Sequence, residues 1–155
     1  MAETTIAFSV ELAYRDPEAA LEWLSRAFGF QTRILVTDAA GKLVFAESGT
    51  GGGAAGIIPA QAQNLKSPAD LGGSSCTVHI RFPAGGVDID EHFERAKEAG
   101  AGVLFPPTQQ FFGDKEYLVT DPEGHLWNFG VRGADGPPGP PPEGWTVRFP
   151  GGRPA

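Results

Sequence analysis

Residues 121–130, Asp-Pro-Glu-Gly-His-Leu-Trp-Asn-Phe-Gly, decide the fold because they join a tight turn to a strand. The first four have the composition of a β-turn, in which proline fixes φ and glycine accepts a positive φ. Successive side chains of a strand point to opposite faces. We therefore predict that Trp127 and Phe129 face a helix and the core, and that Asn128 points to the opposite face of the strand.

This strand closes a pattern that occurs twice along the chain. Residues 76–132 read as a strand, a helix and three strands, and residues 1–59 read in the same order, with the first strand over 5–13. Asp16 is the predicted N-cap of the first helix and Asp88 that of the second. The sequence thus predicts an α+β fold of two βαβββ modules.

Two segments lie outside the repeated pattern. Residues 60–75 read as a polar linker, and residues 133–155 form a tail rich in proline and glycine. Proline lacks the amide hydrogen and fixes φ, so we expect the tail to be extended. Two alternatives remain for its end: disorder, or a fold-back of Trp145, Val147 and Phe149 as an extra strand or a lid.

Composition indicates one domain, or two small modules that share a core. The chain has 155 residues, 41% of them hydrophobic, and a net charge of −7. That charge argues against nucleic acid as a partner and weakly favours a cationic small molecule. Cys76 is the single cysteine, and there is neither a signal-like N-terminus nor an apolar run of membrane length. We expect a cytoplasmic protein that binds neither membrane nor nucleic acid.

Three stretches together resemble one protein family, the vicinal-oxygen-chelate superfamily. They are RDPEAALEWLSRAFGF (15–30), VDIDEHFERAKEAGAG (87–102) and FGDKEYLVTDPEGHLWNFG (112–130). This superfamily includes glyoxalases, extradiol dioxygenases, and fosfomycin- and bleomycin-resistance proteins. The resemblance implies that each module curves into a sheet around a cup and that the protein is a homodimer. It also implies metal-ligand positions on the first and last strand of each module.

These implied ligand positions are mostly occupied by residues that bind metals poorly. Ser9 stands where a histidine is usual, residues 54–59 offer no ligand-type side chain, and Asn128 stands where a glutamate is usual. His79 alone matches, although the loop that follows its strand leaves the register open. Because a neutral amide is a weak ligand for a transition metal, we expect neither a metal nor another cofactor.

Strand alternation and the resemblance together define the candidate site. Ser9 and Glu11 share the predicted cup face of the first module, and His79 and Arg81 share that of the second. Tyr117 would join them if the turn paired Thr120 with His125, and two phenylalanines would add an aromatic wall. The candidate ligand-binding residues are Ser9, Glu11, His79, Arg81, Phe111, Phe112, Tyr117 and Asn128.

Several of these residues have alternative roles. His79 is either a metal ligand or proton shuttle, or a hydrogen-bonded polar residue that lines the cup. Arg81 either recognises an anionic or carbonyl group of a ligand, or forms an ion pair with Glu11. The turn residue His125 is expected to form hydrogen bonds across its turn.

Three functions remain open at this point. The first is a metal-free protein that binds a small, planar or cationic molecule of the antibiotic type. The alternative is a metal-dependent glyoxalase-like lyase or dioxygenase with a non-standard ligand set of Glu11, His79, Glu116 and His125. A metal-free isomerase or lyase with Glu11 or His79 as general base is the third. The sequence does not identify the ligand.

Overall fold

The computed structural model describes residues 7–133 and 135–153. The first two residues of the strand predicted over 5–13 lie outside this range, and the observed strand is shorter, at Glu11–Tyr14. The strands are β1 (Glu11–Tyr14), β2 (Gln31–Thr37), β3 (Leu43–Thr50), β4 (Gly53–Pro59), β5 (Thr77–Phe82), β6 (Gly102–Gln109), β7 (Asp114–Thr120) and β8 (Leu126–Arg132). The helices are α1 (Pro17–Phe28), α2 (Pro68–Leu71) and α3 (Ile89–Glu98), with a 3-10 turn at Ala60–Gln63.

The strands form two four-stranded sheets with the same topology. The strand order is β1-β4-β3-β2 in one sheet and β5-β8-β7-β6 in the other. In each sheet the first and last strands of the module pair in parallel, and the other neighbours pair antiparallel. This arrangement confirms the α+β class and the two βαβββ modules. Residues 60–75, predicted as a linker, contain the 3-10 turn and α2.

The two long helices begin where the sequence predicts. The Asp16 carboxylate accepts a hydrogen bond from the N–H of Ala19, and the Asp88 carboxylate accepts from the N–H groups of Asp90 and Glu91. These caps satisfy backbone donors that have no partner inside the helix. Gly29 ends α1 in the left-handed conformation, with φ 70°.

The core lies where α1 and α3 meet the sheets. Trp127 and Phe129 are fully buried, which confirms the predicted core side of β8. Phe28 of α1 packs against both, with ring centroids 5.5 Å and 4.5 Å apart. The indole N–H of Trp23 donates to the carbonyl of Ala99 at 2.8 Å, which ties α1 to the end of α3. One core therefore serves both modules.

Asp121 is the centre of a buried polar network that joins the modules. Its carboxylate accepts hydrogen bonds from the Tyr14 hydroxyl at 2.6 Å, the Trp127 indole at 3.1 Å and two N–H groups of its own turn. The His125 ring is hydrogen-bonded to the carbonyl of Ala13 at 2.8 Å. His125 thus reaches the first module, whereas we expected its hydrogen bonds to stay within the turn.

The C-terminal tail folds back onto the second module without forming a strand in its described part. The N–H of Gly133 donates to the Gly113 carbonyl at 2.8 Å, and the N–H of Gly139 donates to the Phe111 carbonyl at 2.7 Å. The Trp145 ring lies edge-on to Phe111, with centroids 6.1 Å apart. Of the two alternatives for the tail, the structure shows the fold-back.

Among the residues that the structure describes, no helix combines the length and the apolar character needed to cross a membrane.

Candidate ligand-binding site

The second sheet carries a row of polar side chains on the face opposite α3. Val78 and Ile80 of β5 pack on the core, so the alternate residues of that strand point to the other face. Register places His79 beside Asn128, and Arg81 and Glu116 on either side of Gly130. We call the following group the second cup face: His79, Arg81, Asp114, Glu116 and Asn128.

One histidine–carboxylate contact and one ion pair cross this face. Nε2 of His79 lies 3.4 Å from Oε2 of Glu116, and Nε of Arg81 lies 2.5 Å from Oδ2 of Asp114. Both carboxylates are buried, whereas the side chains of His79 and Arg81 are about 40% exposed, at 39% and 42%. Arg81 therefore pairs with Asp114, and the alternative in which it pairs with Glu11 is wrong.

Several buried acceptors on the second cup face lack a hydrogen bond. Within the described residues, Oε2 of Glu116 and Oδ1 of Asn128 have no hydrogen-bond partner, and the contact of Asp114 Oδ2 with Arg81 lacks hydrogen-bond geometry. A buried acceptor without a donor costs free energy, about 1–3 kcal/mol for a neutral group and more for a charged one. The second cup face thus contains buried acceptors that the described residues leave without a donor.

Gly130 leaves room beside these acceptors. A methyl group at this position would lie 3.3 Å from Cβ of Glu116, 3.6 Å from its Oε2 and 3.7 Å from Nε2 of His79. The first of these distances is tighter than an ordinary van der Waals contact. A side chain at Gly130 would therefore crowd Glu116 and contact His79.

The first sheet presents a different surface at the matching positions. Glu11 and Glu47 flank Gly56 as Arg81 and Glu116 flank Gly130. Ser9, two residues before Glu11, matches His79, which lies two residues before Arg81. Further along the same face the contacts are apolar. Ala13, Ile58, Ala60 and Phe45 form a small apolar cluster.

The donor set does not fit a resident metal ion. Ser9 of the first module is a weak ligand, and the second cup face supplies a single imidazole. No group of three His, Cys, Asp or Glu side chains converges on one point in residues 7–133 and 135–153. A transition-metal site requires several nitrogen, sulfur or carboxylate ligands around one ion. That no metal or other cofactor is bound stays a prediction.

Tyr117 lies on the opposite side of the sheet from its predicted position. Thr120 pairs with Leu126, not with His125, so Tyr117 pairs with Phe129. Tyr117 is fully buried on the helix side, and the prediction that it faces the cup is wrong. The difference of one residue brings Asp114 and Glu116 to the cup instead, because neighbouring residues of a strand face opposite ways.

On the helix side, Tyr117 forms a neutral pair with His92. Its hydroxyl lies 2.6 Å from Nδ1 of His92. Burial, together with the nearby charge of Arg95, lowers the pKa of His92 to about 4. Burial also raises the pKa of Tyr117 well above its ordinary value. Both groups are uncharged at neutral pH, and they support the core between α3 and the sheet.

The predicted site residues divide between two cavities. Ser9 and His79 line a cavity of about 380 Å³ between the modules, together with Val10, Phe30 and Trp127. Arg81, Phe111 and Phe112 line a larger one of about 980 Å³ beneath the tail, which we call the tail cavity. Glu11 and Asn128 line neither of these two cavities.

The metal-free binding site predicted from the sequence does not include Asp114 and Glu116. Glu116 entered only the alternative metal site, and Asp114 entered none of the predicted sites. The register of β7 on β8 was the missing information. Alternation along 114–120 leaves two choices of face, and the chosen turn length selected the wrong one.

Comparison with known proteins identifies relatives over most of the chain. The family model described as "Glyoxalase/Bleomycin resistance protein/Dioxygenase superfamily" matches residues 6–129. An uncharacterised protein of Mycobacterium tuberculosis (strain ATCC 25618 / H37Rv) is 30% identical over 128 residues, which cover 80% of this chain and 73% of the relative.

Solved structures show the same fold. TioX from Micromonospora sp. ML1 matches with a TM-score of 0.62 and 35% identity, over 83% of this chain and 99% of TioX. A glyoxalase/bleomycin resistance protein/dioxygenase from Nocardioides matches with a TM-score of 0.58 and 20% identity, over 90% of this chain and 91% of the other. At this identity the second match supports the fold alone.

Proposed function

Because the chain belongs to the glyoxalase/bleomycin resistance protein/dioxygenase superfamily, we propose that it binds and sequesters a small molecule of the antibiotic type without a resident metal. The superfamily fold supports several chemistries, so it does not select among them. The choice among these chemistries rests on the side chains of the second cup face and on the groups of a ligand that they can contact.

The observation that carries the proposal is the pair of buried acceptors without donors. Oε2 of Glu116 and Oδ1 of Asn128 lie on one face, beside the space left by Gly130. A ligand with N–H donors would satisfy both, and a positive charge on it would interact with the Glu116 carboxylate. The net charge of −7 favours the approach of a cation.

Each residue has a definite role in this proposal. Glu116 supplies charge, Asn128 supplies an amide acceptor, and His79 borders the site at 3.4 Å from Glu116. Asp114 is already engaged by Arg81, so Glu116 is the carboxylate available to the ligand. We propose a planar cation as the ligand class.

Calorimetric titration with a planar cation tests this proposal. We expect 9-aminoacridinium, a planar cation with N–H donors, to bind at least tenfold more tightly than uncharged acridine, and Glu116→Gln to remove that preference. The expected loss is about 1.5–3 kcal/mol, typical of a hydrogen bond to a charged group. Glu47→Gln is the matched control, because Glu47 flanks Gly56 as Glu116 flanks Gly130.

Two results would contradict the proposal. One is an equal effect of the two glutamine variants on cation binding. The other is stoichiometric zinc, nickel, manganese or iron in protein purified without chelator, combined with metal-dependent turnover. That result would favour the lyase or dioxygenase alternative.

A further inference from the structure

We infer that the tail cavity is a second binding site, which takes a small aromatic carboxylate. The inference goes beyond the proposed function, because it uses the tail and two arginines and requires neither Glu116 nor Asn128. The cavity, of about 980 Å³, is at the upper end of the ~300–1,000 Å³ typical of ligand pockets.

The tail is held in place over the cavity by specific contacts. Two backbone hydrogen bonds join it to the loop before β7, from Gly133 to Gly113 at 2.8 Å and from Gly139 to Phe111 at 2.7 Å. A side chain at Gly113 would meet the Pro138 ring at 3.1 Å, so the tail lies directly against the loop. The roof of the cavity is therefore a defined part of the fold.

Aromatic and aliphatic side chains form the walls. Phe111 and Phe112 pack edge to face, with centroids 5.4 Å apart, on the side of the module. Val147 and Phe149 line the cavity from the tail, and both remain substantially exposed, at 49% and 43%. A flat hydrocarbon ring would cover apolar surface that the protein itself leaves in contact with water.

The charges of the lining select an anion. The lining includes three arginines and one aspartate. Asp114 is engaged by Arg81 at 2.5 Å, so the positive charge of that arginine is already balanced. Within the part of the chain that the structure describes, Arg132 and Arg153 form no ion pair with an acidic side chain. Arg153 lies over the Phe149 ring, 5.3 Å from its centroid.

The positive charge of Arg132 and Arg153 contrasts with the net negative charge of the whole chain. The chain as a whole carries a net charge of −7, yet this cavity has an excess of positive charge. A guanidinium group binds a carboxylate through two parallel hydrogen bonds. An aromatic carboxylate would therefore match both the apolar walls and the guanidinium groups of Arg132 and Arg153.

The site lies largely outside the part of the chain that matches the family. The family model ends at residue 129, whereas Arg132, Val147, Phe149 and Arg153 come later. The cavity roof is therefore a feature of this chain that the matched region does not contain.

Titration of the full chain with two naphthalene probes tests the inference. We expect 2-naphthoate to bind at least tenfold more tightly than 2-naphthylmethylammonium, which has the same ring and the opposite charge. Arg132→Gln and Arg153→Gln should each weaken naphthoate binding about tenfold, since each removes one charged contact. Arg153 lies in the tail and in none of the helices or strands, so its variant remains informative if Arg132→Gln unfolds.

Arg33→Gln is the matched control, because Arg33 is on β2 of the first module and donates to the Gly51 carbonyl. We expect it to leave naphthoate binding unchanged. Equal affinity for the two probes, or an equal loss in the control and the cavity variants, would overturn the inference. 9-Aminoacridinium binding should be unchanged in Arg153→Gln, so this inference and the proposed function fail separately.

Discussion

At the scale of single residues, the Asp121 side chain joins what the sequence places far apart. It accepts a hydrogen bond from Tyr14, 107 positions earlier in the chain. Burial and the neighbouring Asp121 carboxylate raise the pKa of Tyr14 well above its ordinary value, so its hydroxyl remains a donor at all moderate pH values. The two tyrosines of the chain differ in one respect: Tyr14 donates to a carboxylate, and Tyr117 contacts an imidazole.

We expect Tyr14→Phe to lower the free energy of unfolding more than Tyr117→Phe. The first variant loses a hydrogen bond to a carboxylate, about 1.5–3 kcal/mol, and the second loses one between neutral groups, about 0.5–1.5 kcal/mol. Both rings are fully buried, so the loss of packing is similar. Urea denaturation at neutral pH measures the difference, and equal losses would contradict a charged acceptor at Tyr14.

At this scale the sequence predicted more of the core than of the site. Trp127 and Phe129 were assigned to the core from alternation alone, and the structure confirms both. The ion pair of Arg81 with Asp114 could not be predicted, because it depends on which residues of β7 face β5 across β8. Judged by charge alone, Glu11 was as good an ion-pair partner for Arg81 as Asp114.

At the scale of elements, the β7–β8 hairpin shows how a turn determines the surface of a sheet. The N–H of Asp121 donates to the carbonyl of His125, so the turn closes on these two residues and β8 begins at Leu126. A turn shorter by one residue would bring Tyr117 to the cup and remove Glu116 from it. Composition predicted this turn, but not the residue pair that closes it.

Gly113 provides a test of tail docking, with Gly41 as its control. Both have positive φ, 100° and 80°, but a side chain at Gly113 would meet Pro138, whereas nothing lies within 4 Å at Gly41. We expect Gly113→Ala and Gly41→Ala each to cost about 1 kcal/mol of stability from the backbone. Gly113→Ala alone should release the tail and speed its cleavage by protease. Equal rates of tail cleavage in the two variants would show that the contact between Gly113 and Pro138 does not hold the tail in place.

The sequence left the tail undecided for a physical reason. Its prolines exclude helix and strand, but its docking depends on carbonyl groups of the loop before β7, which no residue pattern reveals. The three apolar residues near its end, Trp145, Val147 and Phe149, left disorder and a fold-back equally open.

At the scale of the whole molecule, two sheets with one topology have different chemistry on their open faces. Each also ends in an edge strand, β2 or β6, that exposes apolar side chains. Exposed apolar edge strands tend to associate with other chains. The exposed residues are Ile34, Leu35 and Val36 of β2, and Val103 and Leu104 of β6. We propose that a second copy of the chain covers them.

This proposal predicts a homodimer that a single charge can disrupt. Light scattering after size exclusion should give about twice 16.3 kDa for the native chain. Leu35→Lys or Leu104→Lys should shift it toward the monomer, because a buried lysine without a partner is costly. Leu71→Lys is the control, since Leu71 is 64% exposed on α2. A monomeric native chain would contradict the proposal.

The contact between Tyr14 and Asp121 also bears on the order in which the protein forms during synthesis. The ribosome makes the amino-terminal half first, so β1 leaves the exit tunnel long before the turn at 121–125 exists. Until then the Tyr14 hydroxyl lacks the acceptor that it has in the finished molecule. The first module therefore gains this hydrogen bond only after residue 121 has been translated.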